Sequence, residues 1–316
     1  MRSPPRFIPP AVALAVFLLA CERSRTPAPP DTSRPASTES TTAVAPTPPP
    51  AAWDASAGPV MLARNGSATA ALVVFPQYAD STLPDTVRFD IGGIRNLSVD
   101  LLGRSGAVGT ATVTSVQPKQ WSGDECIEWP RAQIRPTSDS TAAGWSVAFV
   151  HGRVQPVAVD SIESLARPDS ARLAADITRL ASMLPDDTSR TFQGIPFVVR
   201  SAYRFPAANG VQGVVADVVR RLNQEANPLE QHTLLVAERP SGDPQARFHT
   251  VFHERSSGSE ETLETSDVLA VLRYGSPARL AIVLLREGLE TSAYELLERE
   301  PTGHWRQRWM SVHTGC

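Results

Sequence analysis

VVADVVRRL, residues 214–222, admits two readings, and the fold class turns on which one holds. Val211, Val215, Val218 and Leu222 recur at helical spacing, as in an amphipathic helix. The segment is nevertheless dominated by β-branched valine, which suits a pleat better than a helix, and NPLE at 227–230 reads as a turn. A strand is therefore expected. The same composition surrounds it: IPFVVRSAYRF (195–205), HTLLVAER (232–239), ARFHTVFHER (246–255), DVLAVLRY (267–274), RLAIVLLRE (279–287), AYELLERE (293–300) and HWRQRWMSV (304–312). These predict an antiparallel β meander over residues 191–316.

Upstream, ATAALVVF (68–75), LSVDLLG (97–103), AVGTATVTSV (107–116) and GWSVAFV (144–150) are short, alternating or β-branched, and separated by Gly, Pro, Asp and Ser. That spacing predicts a small sandwich or barrel over residues 60–160. Between the two β regions, PDSARLAADITRLASMLP carries Leu173, Ile177, Leu180 and Leu184 at helical spacing, with Asp169 or Ser170 as cap and Pro185 as stop. The expected class is mainly β, or α+β by count of this single helix, with the amphipathic connector at 161–190 joining the two β regions.

The meander carries a weak internal repeat. VVRRLNQE (218–225) and VLLREGLE (283–290) align Arg221 with Arg286 and Glu225 with Glu290. LLVAERPSG (234–242) and ELLEREPTG (295–303) follow, each leading into a strand that mixes aromatics with arginine. The layout is loosely similar to FG-GAP-type β repeats. Those carry a carboxylate-rich calcium loop, whereas RYGSPARL (273–280) has no carboxylate, so calcium is not implied.

Residues 1–21 read MRSPPRFIPPAVALAVFLLAC: two arginines, then an apolar run from Ile8 to Ala20 that is too short to span a bilayer as a helix. Its end, Leu18-Leu19-Ala20-Cys21, resembles the bacterial lipobox. That resemblance covers these residues only. It implies a signal peptide over 1–20, removed on export, and a diacylglycerol and fatty acyl group such as palmitate on Cys21. It further implies attachment to the cell envelope, and Glu22 in place of an inner-membrane retention Asp favours the periplasmic face of the outer membrane or the cell surface. Residues 21–59 then form a lipidated Cys and a disordered Pro/Ser/Thr/Ala tether. Such a tether reaches on the order of 100 Å extended and about 35 Å as a coil.

The formal net charge is −3, which argues against nucleic acid as a general partner. Lys119 is the lone lysine among 30 basic residues; the arginine excess reads as coding bias, not as a binding clue. In HTVFHE (249–254), His249 and His253 would lie about 13 Å apart along a strand, too far for one metal ion. The acidic set Glu260, Glu261, Glu264 and Asp267 reads as a solvated loop, and Glu238/Arg239 and Glu298/Arg299 as cross-strand charge ladders. Trp305 and Trp309, with Gln307 between them, are expected on one face of a strand, packed in a core or under a covered edge; an exposed pair would be the best candidate ligand platform. Cys126 and Cys316 form an even pair for a disulfide in an oxidising envelope, closing a loop worth on the order of 5 kcal/mol. No catalytic motif, metal site or cofactor is expected. The chain reads as a lipid-anchored envelope protein with a β-rich structural or binding ectodomain, its partner an envelope protein or a glycan. An envelope hydrolase with an unfamiliar site and an envelope assembly factor are the alternatives.

Overall fold

The computed structural model describes residues 52–78, 86–122, 126–138, 143–185, 190–208, 210–223, 228–243 and 245–315. All of them belong to the unit Pro49–Cys316. Cys21, Cys316, the signal segment and the tether up to residue 51 lie outside the described residues.

The first β region contributes β1 (Met61–Arg64), β2 (Ala70–Val74), β3 (Thr86–Arg88), β4 (Ser98–Gly103), β5 (Gly106–Val116), β6 (Gln120–Ser122), β7 (Arg131–Pro136) and β8 (Val147–Val150). Six of them close into an antiparallel barrel in the order β1-β2-β7-β5-β4-β8, while β3 and β6 pair as a separate ribbon. The barrel expectation is met, although β1 and β7 were not anticipated. In RAQIRP only Ala132 and Ile134 point inward, so the apolar signal of β7 is faint.

Beyond the barrel come β9 (Val154–Val157), β10 (Asp160–Ser161) and the helix α1 (Arg167–Ser182). Leu173, Ile177 and Leu180 of α1 are buried, as their spacing requires. The cap is not the expected Asp169 or Ser170. The N-cap is Ala166, which makes no side-chain cap bond, and Pro168 opens the first turn. Proline fits there because its missing N–H would be unsatisfied anyway, and Asp169 then faces the positive end of the helix dipole.

The rest of the chain forms β11 (Val198–Ala208), β12 (Val211–Leu222), β13 (Leu229–Pro240), β14 (His249–Gly258), β15 (Thr265–Tyr274), β16 (Arg279–Glu287), β17 (Thr291–Arg299), β18 (Trp305–Met310) and β19 (Thr314–Gly315). Two antiparallel sheets result: β10-β11-β12-β13-β14, and β18-β17-β16-β15-β9 with β19 added on β17. The repeat corresponds to β12–β14 and β16–β18, one three-stranded meander in each sheet; Glu225 lies outside the described residues.

The cores reveal the layering. Helix α1 packs on one face of the first sheet through Val214, Ala216, Val218, Leu235 and Phe248. The other face, with Val215, Leu234 and Val236, meets Val268, Val271, Ile282, Leu284 and Leu297 of the second sheet. The back of that second sheet, with Leu272, Val283 and Leu296, shares a core with barrel residues such as Leu62, Leu101 and Phe149. Both sheets are thus covered on both sides, which is unusual for antiparallel sheets. This explains the opening ambiguity. In VVADVVRRL both faces are buried, so apolar residues need not alternate, and a strand mimics helical spacing.

Candidate functional site

Period-two alternation places a polar seam between the two sheets. Val215 and Leu234 lie in the inter-sheet core; Asp217 is two residues beyond Val215, and His232 two before Leu234. Across the interface, Leu284 is followed two residues on by Arg286, Leu297 is preceded by Glu295, and Val268 by Ser266. At this end both sheets therefore turn charged groups toward each other, and all five of these polar residues are buried.

Arg286 is the hub. Its Nε donates to Glu295 Oε2 at 2.5 Å and its Nη1 to Ser266 Oγ at 2.6 Å, while Nη2 donates to Glu254 on β14. Glu264, in the turn before β15, lies 3.9 Å from Arg286 and 3.4 Å from His313. Burial opposes the charge on Arg286, but Glu295 and Glu254 outweigh it and raise the guanidinium pKa. Glu295 is 1% exposed. Burial pushes its pKa up to about 7; Arg286 pulls the other way, and repulsion from Glu254 and Glu264 adds to the rise. Its Oε1 is buried without a hydrogen-bond partner among the described residues.

His232 is the second node. Its Nδ1 lies 2.9 Å from Asp217 Oδ2 and its Nε2 3.0 Å from Glu230 Oε2. Burial disfavours the imidazolium, but the two carboxylates prevail and raise the pKa. Arg200 Nη1 lies 2.9 Å from Asp217 and 3.4 Å from Asp267 of β15, so this node also crosses between the sheets. Both imidazole nitrogens are occupied by carboxylates, so neither can take a proton from an outside molecule without breaking an internal bond. The arrangement ties β11, β12, β13 and β15 together through side chains.

The far end of the sheets carries a smaller clamp. Glu238 accepts from Arg299 through both oxygens, at 2.7 and 2.8 Å, and from Trp305 Nε1 at 2.7 Å. Glu298 accepts from Tyr274 Oη and from Arg279, which also binds Asp54. The charges thus pair between strands, as a cross-strand reading expects, but with other partners: Glu238 reaches Arg299 of the second sheet and Glu298 reaches Arg279 on neighbouring β16. Glu238 and Glu298 are both buried, because each follows the inward register of a strand covered on both faces. Asp54 is held down at about 2 by the side chain and backbone N–H of Ser56, then by Arg279. Beside it, Trp53 stacks on Phe149 at 6.3 Å and meets Trp309 edge-on at 4.9 Å.

Trp305 and Trp309 are packed in cores and form no platform, but they do not share a face as expected. The β17–β18 register shifts between Leu296↔Trp309 and Leu297↔Gln307, so Arg308 is an extra residue and the strand flips face there. Trp305 enters the inter-sheet core, while Trp309 enters the barrel-side core and donates to Pro76 O at 2.8 Å. Both indoles are buried. His249 and His253 lie on β14, as expected. Glu260 and Glu261 are exposed in a turn, whereas Glu264 and Asp267 belong to the seam. Cys126 is not a free thiol. Its neighbour Ile127 accepts from Gly315 N at 2.8 Å in an antiparallel bridge.

A cleft of about 530 Å³ near one end of the barrel is lined by Arg88, Phe89, Asp90, Ile91, Gly92, Pro118 and Lys119. The seam was missed in the sequence because its members are single polar residues inside apolar runs. Asp217 in VVADVV and Arg286 in VLLRE were its visible signals, and they could have been found by asking which residues a strand buried on both faces must satisfy. Comparison with protein-family models, with curated proteins and with solved structures found no match.

Proposed function

We propose that the protein is a lipid-anchored component of a bacterial cell envelope, whose β ectodomain works as a structural or partner-binding module and not as an enzyme. The observation that carries the non-catalytic part is the internal pairing of two buried groups: both nitrogens of His232 and the guanidinium of Arg286 are spent on partners within the fold. The anchoring part rests on the lipobox-like segment ending at Cys21 and on the Pro-rich stretch after it. Trp53 and Asp54, at the exit of that stretch, are built into the layered core, which suits a rigid body displayed on a leash. A protein partner is favoured over a glycan, since the aromatic pair that could stack on sugar is buried.

A Cys126–Cys316 disulfide is part of this reading. In the antiparallel bridge of Ile127 with Gly315, the positions that come next on either side are 126 and 316. Facing positions of an antiparallel pair lie within the Cα separation a disulfide needs. The bond would pin β19, and with it the end of the second sheet, to the segment that enters β7.

The anchor is tested by fractionating cells that produce the wild-type chain or Cys21→Ala. The wild type is expected with the membranes, and Cys21→Ala among soluble or unprocessed material. Equal membrane retention of the two would overturn the proposal.

A further inference from the structure

We infer that the seam between the two sheets is a proton-linked clasp, closed in mildly acidic conditions and loosened above neutrality, with β14 as the strand that lets go. Glu295, buried on β17, faces Arg286 from β16, Ser266 from β15, Glu254 from β14 and Glu264 from the turn before β15, with His313 behind Glu264. His232, buried on β13, faces Asp217 from β12 and Glu230 from its own strand; Glu230 also pairs with Arg221 of β12 at 2.8 Å, and Asp217 is shared with Arg200 of β11, which also reaches Asp267 of β15. Ser266 and Asp267 are adjacent, so the two nodes meet on one strand.

Carboxylates outnumber cations in this cluster, and two of its buried members can hold protons. A proton on Glu295 removes a charge that its unpartnered Oε1 could not solvate. A proton on His232 supplies a cation between two carboxylates. Each proton lost adds one negative charge to a cluster that is already negative, in a poorly solvated place.

The sign follows from linkage. Glu295 holds its proton up to about 7 in the fold, whereas an unfolded glutamate releases it near 4.3. Over that interval the folded state binds more protons, so stability falls as pH rises. His232, raised above the ordinary histidine value of 6.5, contributes stability that is complete below that value and is lost as pH climbs through its folded pKa. Both groups push the same way.

Among the strands that carry the seam's charged groups, β14 is the one at a sheet edge, paired with β13 alone among the described residues. Glu254, its link to the hub, has a side chain 48% exposed. By contrast β12, between β11 and β13, is held on both sides. Loosening of β14 would uncover a strand edge, a surface that extended protein segments recognise. The clasp itself does not depend on lipid attachment, so it can fail or stand independently of the anchor.

The test is amide hydrogen exchange on the purified full chain at pH about 5.5 and about 8, corrected for intrinsic rates. Protection in β14 is expected to drop about tenfold across that range while β12 changes less than about threefold. Glu295→Gln, which keeps the shape and removes the ionisation, should abolish at least half of the β14 response on a logarithmic scale. Equal responses of β14 and β12, or an undiminished response in Glu295→Gln, would overturn the inference. A measurement on the wild type alone guards against a variant that fails to fold. The urea midpoint should be lower at the higher pH, and an equal or higher midpoint also overturns the proposal.

Discussion

Arg286→Ala is expected to destabilise the fold by about 3–5 kcal/mol, the range for removing one partner from a buried ion pair. The guanidinium is 5% exposed and holds Glu295 and Glu254 while donating to Ser266. Alanine would leave Glu295 facing Glu254 and Glu264 with no cation between them. It would also cut the link that joins β14 of one sheet to β16 of the other. Denaturant unfolding measures the loss as a fall in midpoint with an unchanged slope. Adding Glu295→Gln should recover at least about 1 kcal/mol, because the stranded carboxyl is then neutral. A loss below about 1 kcal/mol for Arg286→Ala would show that the hub is not holding the sheets together.

Trp309→Ala should cost about 3–5 kcal/mol by a different mechanism, a cavity in a closed core. The indole is 2% exposed, meets Trp53 edge-on and donates to Pro76 O. It therefore sits where the second sheet, the barrel and the segment leaving the tether converge. Trp309→Phe should cost less, about 1–3 kcal/mol, since much of the packing survives and the lost hydrogen bond leaves a carbonyl acceptor unmet. Calorimetry of both variants gives the comparison. If alanine and phenylalanine cost the same, the junction would be held by the hydrogen bond and not by packing.

The β class, the barrel and the helix were legible in the sequence because each rests on local pattern. Leu173, Ile177 and Leu180 show one helical stripe, and valine-rich runs between turn residues show strands. The order of layers was not legible, since it depends on pairings far apart in the chain. β9 joins β15 through Val157↔Val271, and nothing local in VQPV announces that. The tryptophans misled for a related reason. Counting by two puts Trp305 and Trp309 on one face, and only the extra residue at Arg308, visible in the pairing with β17, sends them to opposite cores. The seam lies between these cases. Asp217, His232, Arg286 and Glu295 were each readable as polar residues in buried strands, but their convergence needed two sheets stacked in register.

The seam also gives physical content to the non-catalytic reading. An active-site base needs a proton-accepting atom open to its substrate, whereas His232 spends both nitrogens inside the fold.

The most direct test of the account is mass spectrometry of the full-length product, extracted from membranes in detergent without reductant. A mature chain beginning at Cys21, with diacylglycerol and acyl mass on that residue and a Cys126–Cys316 cross-linked peptide, is the predicted result. A chain whose Cys21 is an unmodified thiol, or is absent from the mature product, would contradict it.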